Sequence, residues 1–246
     1  MNHLSMYEKK SYNSLFGIAD ANREWHKLGG DETVGNLLSL IADAGLGDVI
    51  GLRLLHKHND LYEDEVMLET AEVDTEGFSL TTSPVDKLIE GQGVCNSWQL
   101  TEDGFIPVEF STPDLLIEPY FDMQEHRETF EKLAKIITAY GVEKILGPCI
   151  NYSKFVTSYS PVAEAAFLEK TDSDNRANVV RYVEMSDPNF LNSTKTKWHA
   201  RRMLNASGSP KWLTACSCFC SVMPEGGHQG TTTHRYSGDD DKSTND

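Results

Sequence analysis

The densest chemistry in this chain lies at residues 56–65, HKHNDLYEDE, where two histidines and four carboxylates follow directly on an apolar run. His56 and His58 stand at strand spacing, so both imidazoles project from one face with Cα atoms roughly 6–7 Å apart. Two rings so placed can reach one ion, with a third ligand from Glu63 or Glu65. Asn59, Asp60 and Glu63 form the pattern Asn-Asp-x-x-Glu, with Asp64 and Glu65 beside it. Two carboxylates three residues apart in a turn can converge on one cation, either a metal or a guanidinium, whose planar fork suits carboxylate. Two plainer readings stand next to these. The histidines can be hydrogen-bonded at the end of a core strand, and the acids can be a charged hairpin turn. The metal ligand set is incomplete by spacing, so no stoichiometric metal and no cofactor are expected.

Three further groups are set aside or kept for cause. Cys216, Cys218 and Cys220 alternate along a predicted strand and lack Cys-x-x-Cys spacing, so they read as core packing, with a nucleophilic thiol served by His228 or His234 as the alternative. The glycines of GGHQG, 226–230, have no strand-to-helix context and read as a turn. Between Asp187 and Glu225 there is no acid, while Lys195, Lys197, Arg201, Arg202 and Lys211 are all basic. That is one positive segment on a chain whose 22 basic and 38 acidic residues give a formal charge of −16. A net charge of that sign repels polyanions at long range, so any nucleic-acid binding must use this segment.

The elements that position these groups can be read from periodicity. DETVGNLLSLIADAGLGD, 31–48, is a helix with Asp31 as its cap, followed at once by the strand VIGLRLLHKH, 49–58, with Ile50, Leu52, Leu54, His56 and His58 on one face. Short β-like runs at 65–73, 77–85, 94–100 and 105–111, separated by turns, predict an antiparallel meander. HRETFEKLAKIITAYGVEKI, 126–145, spaces Phe130, Leu133, Ile136 and Ile137 as a helix that stops at Gly141. A hairpin with its turn in DSDN, 172–175, and a strand at 211–223 complete the set.

The fold class expected is α+β, an antiparallel β-meander with packed helices. Residues 1–236 are read as a single domain and 237–246 as a disordered acidic tail. No run approaches the roughly 18 apolar residues of a membrane helix. The N-terminal MNHLSMYEKKSYNSLFGIAD has no apolar targeting region, and five cysteines with no secretory signal favour thiols. A cytoplasmic location is expected.

The stretch NDLYE, 59–63, resembles the Asp-Asp-x-x-Glu motif of the fungal arginine-containing cyclodipeptide synthases, with Asn59 where the first aspartate stands. The resemblance implies an acyl transfer in secondary metabolism. Arginine on its tRNA and a second aminoacyl-tRNA would be the partners, and a diketopiperazine the product. Asp60 or Glu63 would act as general base while the other holds the guanidinium, with His56 or His58 equally able to take the proton. Asn59 and Glu65 would complete the amino-acid site. Lys195, Lys197, Arg201 and Arg202 would meet tRNA phosphates, with Trp198 and His199 stacking on an unpaired end. Two alternatives use the same residues otherwise: a metal-dependent enzyme built on His56, His58 and Glu63 or Glu65, and a non-catalytic binder of a basic partner.

Overall fold

In the computed structural model, which describes residues 7–74, 77–86, 88, 91–153, 165–172, 174–184, 193–204 and 210–221, a helical N-terminal segment leads into a closed β-barrel. The helices are α1 (Lys9–Asn13), α2 (Ile18–Lys27), α3 (Gly30–Asp43) and α4 (Arg127–Tyr140). The strands are β1 (Ile50–Leu54), β2 (Glu65–Asp74), β3 (Gly77–Asp86), β4 (Val94–Thr101), β5 (Gly104–Ser111), β6 (Leu146–Ile150), β7 (Ala165–Asp172), β8 (Ala177–Glu184), β9 (Ser193–Leu204) and β10 (Pro210–Ser221).

Fold class is α+β as the periodicity implies, and the local hairpins are where the turns place them. β2 pairs antiparallel with β3, β4 with β5 and β7 with β8, while β9, which the sequence pattern did not give as a strand, pairs antiparallel with β10. The meander is only partial. Around the barrel the order is β1-β6-β4-β5-β2-β3-β8-β7-β10-β9, with β9 returning to β1 and with parallel joins between β2 and β5 and between β7 and β10. Closure gives every strand of the barrel a neighbour on both sides, although the β4–β6 and β7–β10 joins are short. It also demands close backbone approach at two glycines. A Cβ on Gly147 would lie 1.9 Å from the Trp98 carbonyl oxygen, and one on Gly51 would lie 2.5 Å from that of Trp198.

Several elements differ from the sequence pattern, which gave no strand at β6 or β9. α1 and α2 were not expected, although α2 places Ile18, Ala21 and Trp25 at helical spacing on one buried face. α3 starts one residue early, after Gly29 in the left-handed region (φ 64°), so Asp31 lies in the first turn instead of capping it. β1 ends at Leu54, so His56 and His58 lie beyond the strand and not on its apolar face. The segment from 222 onward, with His228, His234 and the acidic tail, is outside the described residues. No helix among them is long and apolar enough to cross a membrane.

The core forms because α2, α3 and α4 each bury one stripe against the same face of the barrel wall. Trp25, Leu37, Ile41, Phe130, Leu133 and Ile137 pack on Ile50, Leu52, Leu54, Leu68, Trp98, Phe110, Ile150 and Trp198. Because side chains alternate along a strand, the residues between these belong to the opposite face. That face holds the chemistry.

Candidate functional site

Alternation and register together define the inner face. On β1 the outward residues are Ile50, Leu52 and Leu54, so Gly51 and Arg53 point inward. Directly paired residues share a face, which allows the inner ring to be followed from strand to strand. Gly51 pairs with Cys149 on β6, Cys149 with Ser97 on β4, and Ser97 with Glu109 on β5. Two residues on, Ser111 pairs with Glu69 on β2, Glu69 with Thr82 on β3, and Thr82 with Asn178 on β8. In the other direction Arg53 pairs with Lys197 on β9. All of these but Arg53 are buried, and the Arg53 side chain is only 15% exposed.

The ring contains two cations and two acids in linked pairs. Arg53 forms a salt bridge with Glu109, whose side chain is 4% exposed. Tyr152, just past β6, donates its hydroxyl to Glu69 Oε1 at 2.8 Å, and Ser111 Oγ donates to Glu69 Oε2 at 2.8 Å. The Lys197 ammonium donates to the Ile150 carbonyl at 3.2 Å and sits 3.6 Å from the Tyr152 ring centre, a cation–π contact. Burial disfavours the charged form of Arg53, but Glu109, with Tyr152 and Glu69 behind it, outweighs burial and the net shift is upward, so the guanidinium stays charged. Burial pushes the Cys149 thiol up, with Lys197 and Arg53 opposing, so the protonated thiol is the resting form.

One irregularity interrupts the ring. The β4–β5 register slips on either side of Ser97, so that Asn96 is an extra residue without a directly paired partner. Asn96 Nδ2 donates to Ser111 Oγ at 2.5 Å, which brings its side chain to the inner face next to that of Ser97. Bulges of this kind re-aim side chains and concentrate near functional sites.

The residues singled out from the sequence are distributed otherwise. His56 and His58 are both buried with ring centres 4.5 Å apart, edge to face. His56 Nδ1 lies 2.8 Å from the Leu54 carbonyl oxygen, and the His58 amide donates to the Tyr12 hydroxyl at 3.2 Å. The four acids that follow do not converge. Asp60 pairs with Lys57 at 2.7 Å, while Glu63, 87% exposed, pairs with Lys9. Glu65 accepts two hydrogen bonds from Arg176, each 2.8 Å, and the Tyr62 amide. A guanidinium does meet a carboxylate here, and it is the chain's own.

Arg176 lies in the β7–β8 turn with φ 53°, and it ties that turn to the 59–65 segment at several points. Its guanidinium also donates to the Asp60 carbonyl and lies 4.1 Å from the Tyr62 ring centre, while Asn59 Nδ2 donates to the Arg176 carbonyl at 3.0 Å. The Arg176 hydrogen bonds hold the Glu65 carboxyl below its ordinary range, with burial opposing.

The basic segment is a strand of the barrel. Lys195 is exposed, Lys197 is buried in the inner ring, and Trp198 is 1% exposed and stacked on Trp25 with ring centres 5.0 Å apart. Trp198 therefore packs the core and does not present a ring to an unpaired nucleotide. The backbones of Arg201 and Arg202 pair with Leu213 and Trp212 on β10, and their side chains lie outside the described residues, as do those of Cys216 and Cys218. Cys220 is buried. Among the described residues no group of three or more His, Cys, Asp or Glu is placed to hold a metal ion.

No family model, no curated protein and no solved structure matches this chain significantly. The site therefore rests on its own geometry. An open cleft of about 1120 Å³ lies elsewhere, lined by Phe16, Leu28, Leu100, Ala134 and Ile145 among others. Its lining also includes Glu24, Glu102, Lys135, Glu143 and Lys144, which are exposed or half-buried, and the buried Arg53–Glu109 pair marks the chemical site more strongly than these solvated charges.

Sequence reasoning passed over Arg53, Glu69, Glu109 and Tyr152. The signal was present in three of them. Each is a charged residue flanked on both sides by apolar or β-branched residues within its strand: GLRLL, MLETA and PVEFS. A charge at that position must either face water or be paired inside, and closure of the barrel decides for the inside.

Proposed function

We propose that this chain is a small-molecule-binding barrel that holds a polar ligand against the inner ring of Arg53, Glu109, Glu69, Tyr152 and Lys197. The observation that carries the reading is the placement of four formally charged side chains on the inner face of one closed sheet. Burying an ion costs several kcal/mol, and a buried pair is often no more stabilising than apolar residues of the same volume. Stability alone therefore gives little reason to build the ring, whereas recognition of a polar molecule in a dry interior needs such groups pre-positioned.

The synthase reading finds less support in the geometry. Asp60, Glu63 and Glu65 are each engaged by a cation of the chain itself, and Trp198 packs on Trp25. The rival metal reading has two histidines that face one another edge to face, and among the described residues no group of three or more His, Cys, Asp or Glu is placed to hold a metal ion.

The test is a thermal-shift screen of small polar compounds on the native protein and on Glu69→Gln, which keeps the shape of the side chain and removes its charge. A compound that raises the native midpoint by several degrees and leaves that of Glu69→Gln in place supports the reading. Equal shifts in both proteins, or none across the screen, count against it.

A further inference from the structure

From the bulge on β4 we infer the class of ligand: a neutral amide that presents an N–H donor and a C=O acceptor on one edge, as a lactam or primary amide does. The inference rests on the reading of the barrel interior as a binding site. Two buried polar atoms of the inner face have no hydrogen-bond partner among the described residues, Ser97 Oγ and Asn96 Oδ1. Ser97 is 0% exposed and Asn96 is 4% exposed. Buried polar atoms are nearly always satisfied, so two adjacent exceptions call for a partner.

The chemistry of that partner follows from what the two atoms lack. Asn96 already uses its Nδ2 on Ser111, so its remaining oxygen accepts only and calls for a ligand donor. Ser97 can supply its hydroxyl proton to a ligand acceptor. Normal strand geometry would send neighbours 96 and 97 to opposite faces; the register slip puts both on the inner one. Charge narrows the class further. Arg53 is paired with Glu109, Glu69 accepts from Tyr152 and Ser111, and the Lys197 ammonium lies over the Tyr152 ring, so two positive and two negative groups already balance. A charged ligand would bring an uncompensated charge into a buried ring, whereas a neutral amide brings none.

The experiment uses the full chain labelled with 15N and three probes of similar size: 2-pyrrolidinone as the neutral lactam, acetate as the anion and methylguanidinium as the cation. The expected result is saturable shifts of the Asn96 side-chain amide and the Ser97 and Cys149 backbone amides with 2-pyrrolidinone, and affinity at least fivefold weaker for either ion. Ser97→Ala and Asn96→Leu should each weaken lactam binding about fivefold or more, the effect of one lost hydrogen bond. Should Asn96→Leu fail to fold, Ser97→Ala, which removes a single oxygen, carries the test. Tighter binding of an ion at the same resonances overturns the ligand class and leaves the interior site standing. Lactam binding that both variants retain places the contact elsewhere and also overturns it. No perturbation of inner-face resonances by any probe overturns both the class and the binding barrel.

Discussion

Replacing Glu109 by methionine should be among the most damaging single changes in the inner ring, and the size of the effect follows from what it leaves behind. The Glu109 side chain is 4% exposed and the paired Arg53 is 15% exposed, so neither ion has bulk water to fall back on. Removing one partner of such a pair costs about 3–5 kcal/mol, because the other remains buried and uncompensated. Glu69 and Tyr152 also act on Arg53 electrostatically, which places Glu109→Met at about 3 kcal/mol, the lower end of that range. Arg53→Met should cost about as much, since it strands Glu109. The double variant, with two thioethers filling the same space, should recover most of the summed loss of about 6 kcal/mol, giving a coupling energy of about 5 kcal/mol. Urea unfolding measures this directly: with a slope of about 2 kcal/mol/M, each single variant should unfold at roughly 1.5 M less urea than the native protein. If each single change costs under about 1 kcal/mol and the two add, the pair is behaving as a hydrated surface pair. The inner face is then open to water, and the argument from buried charge fails.

Gly147→Ala should destabilise the barrel by about 3 kcal/mol or more, because its Cβ would meet a backbone oxygen on β4 that no side-chain rotation can move; the same urea assay reads it, and a loss under 1 kcal/mol would refute the tight closure of β6 on β4. Arg176→Met should cost about 2–3 kcal/mol at neutral pH by leaving Glu65 with one hydrogen bond, and should remove a pH dependence that the native protein has. Glu65 titrates below its ordinary range when folded, so its stabilisation is full above about pH 4.3 and is lost as pH falls through the lowered folded-state value. Melting curves from pH 7 to pH 2 on both proteins should converge at the acid end, and parallel curves would refute the pairing. Trp198→Ala should cost about 3–5 kcal/mol and abolish the Trp25–Trp198 stacking signal in near-ultraviolet circular dichroism, whereas a ring held ready for nucleotides would be lost without a stability change.

Much of the local structure was legible because it is set by short-range rules. The apolar periods of α3 and α4 place them to within a residue or two, since one stripe must be buried whatever the fold. The hairpins β2–β3, β4–β5 and β7–β8 follow from turn residues flanked by β-formers, and the β7–β8 turn falls at DSDN and the Arg176 beside it. The α+β class and the chemical density of 56–65 were likewise readable. α1 was not, because Tyr12 is its one buried residue and acquires meaning only against the surface that it covers, whereas α2 carries a helical period in Ile18, Ala21 and Trp25 that was passed over.

What the sequence by itself determined is therefore a set of elements and the parity of residues along each strand. Whether Arg53, Glu69, Glu109 and Lys197 face water or one another depends on which strands become neighbours, and those pairings join residues 42 to 144 positions apart in the chain. The same holds for the acids of HKHNDLYEDE. Their spacing permits convergence on an outside cation, but Lys9, Lys57 and Arg176 reach them first, and Arg176 comes from 111 residues beyond Glu65. Spacing decides which groups can meet. Only closure of the barrel decides which do, because a charge that loses its water must take the nearest partner that the fold provides.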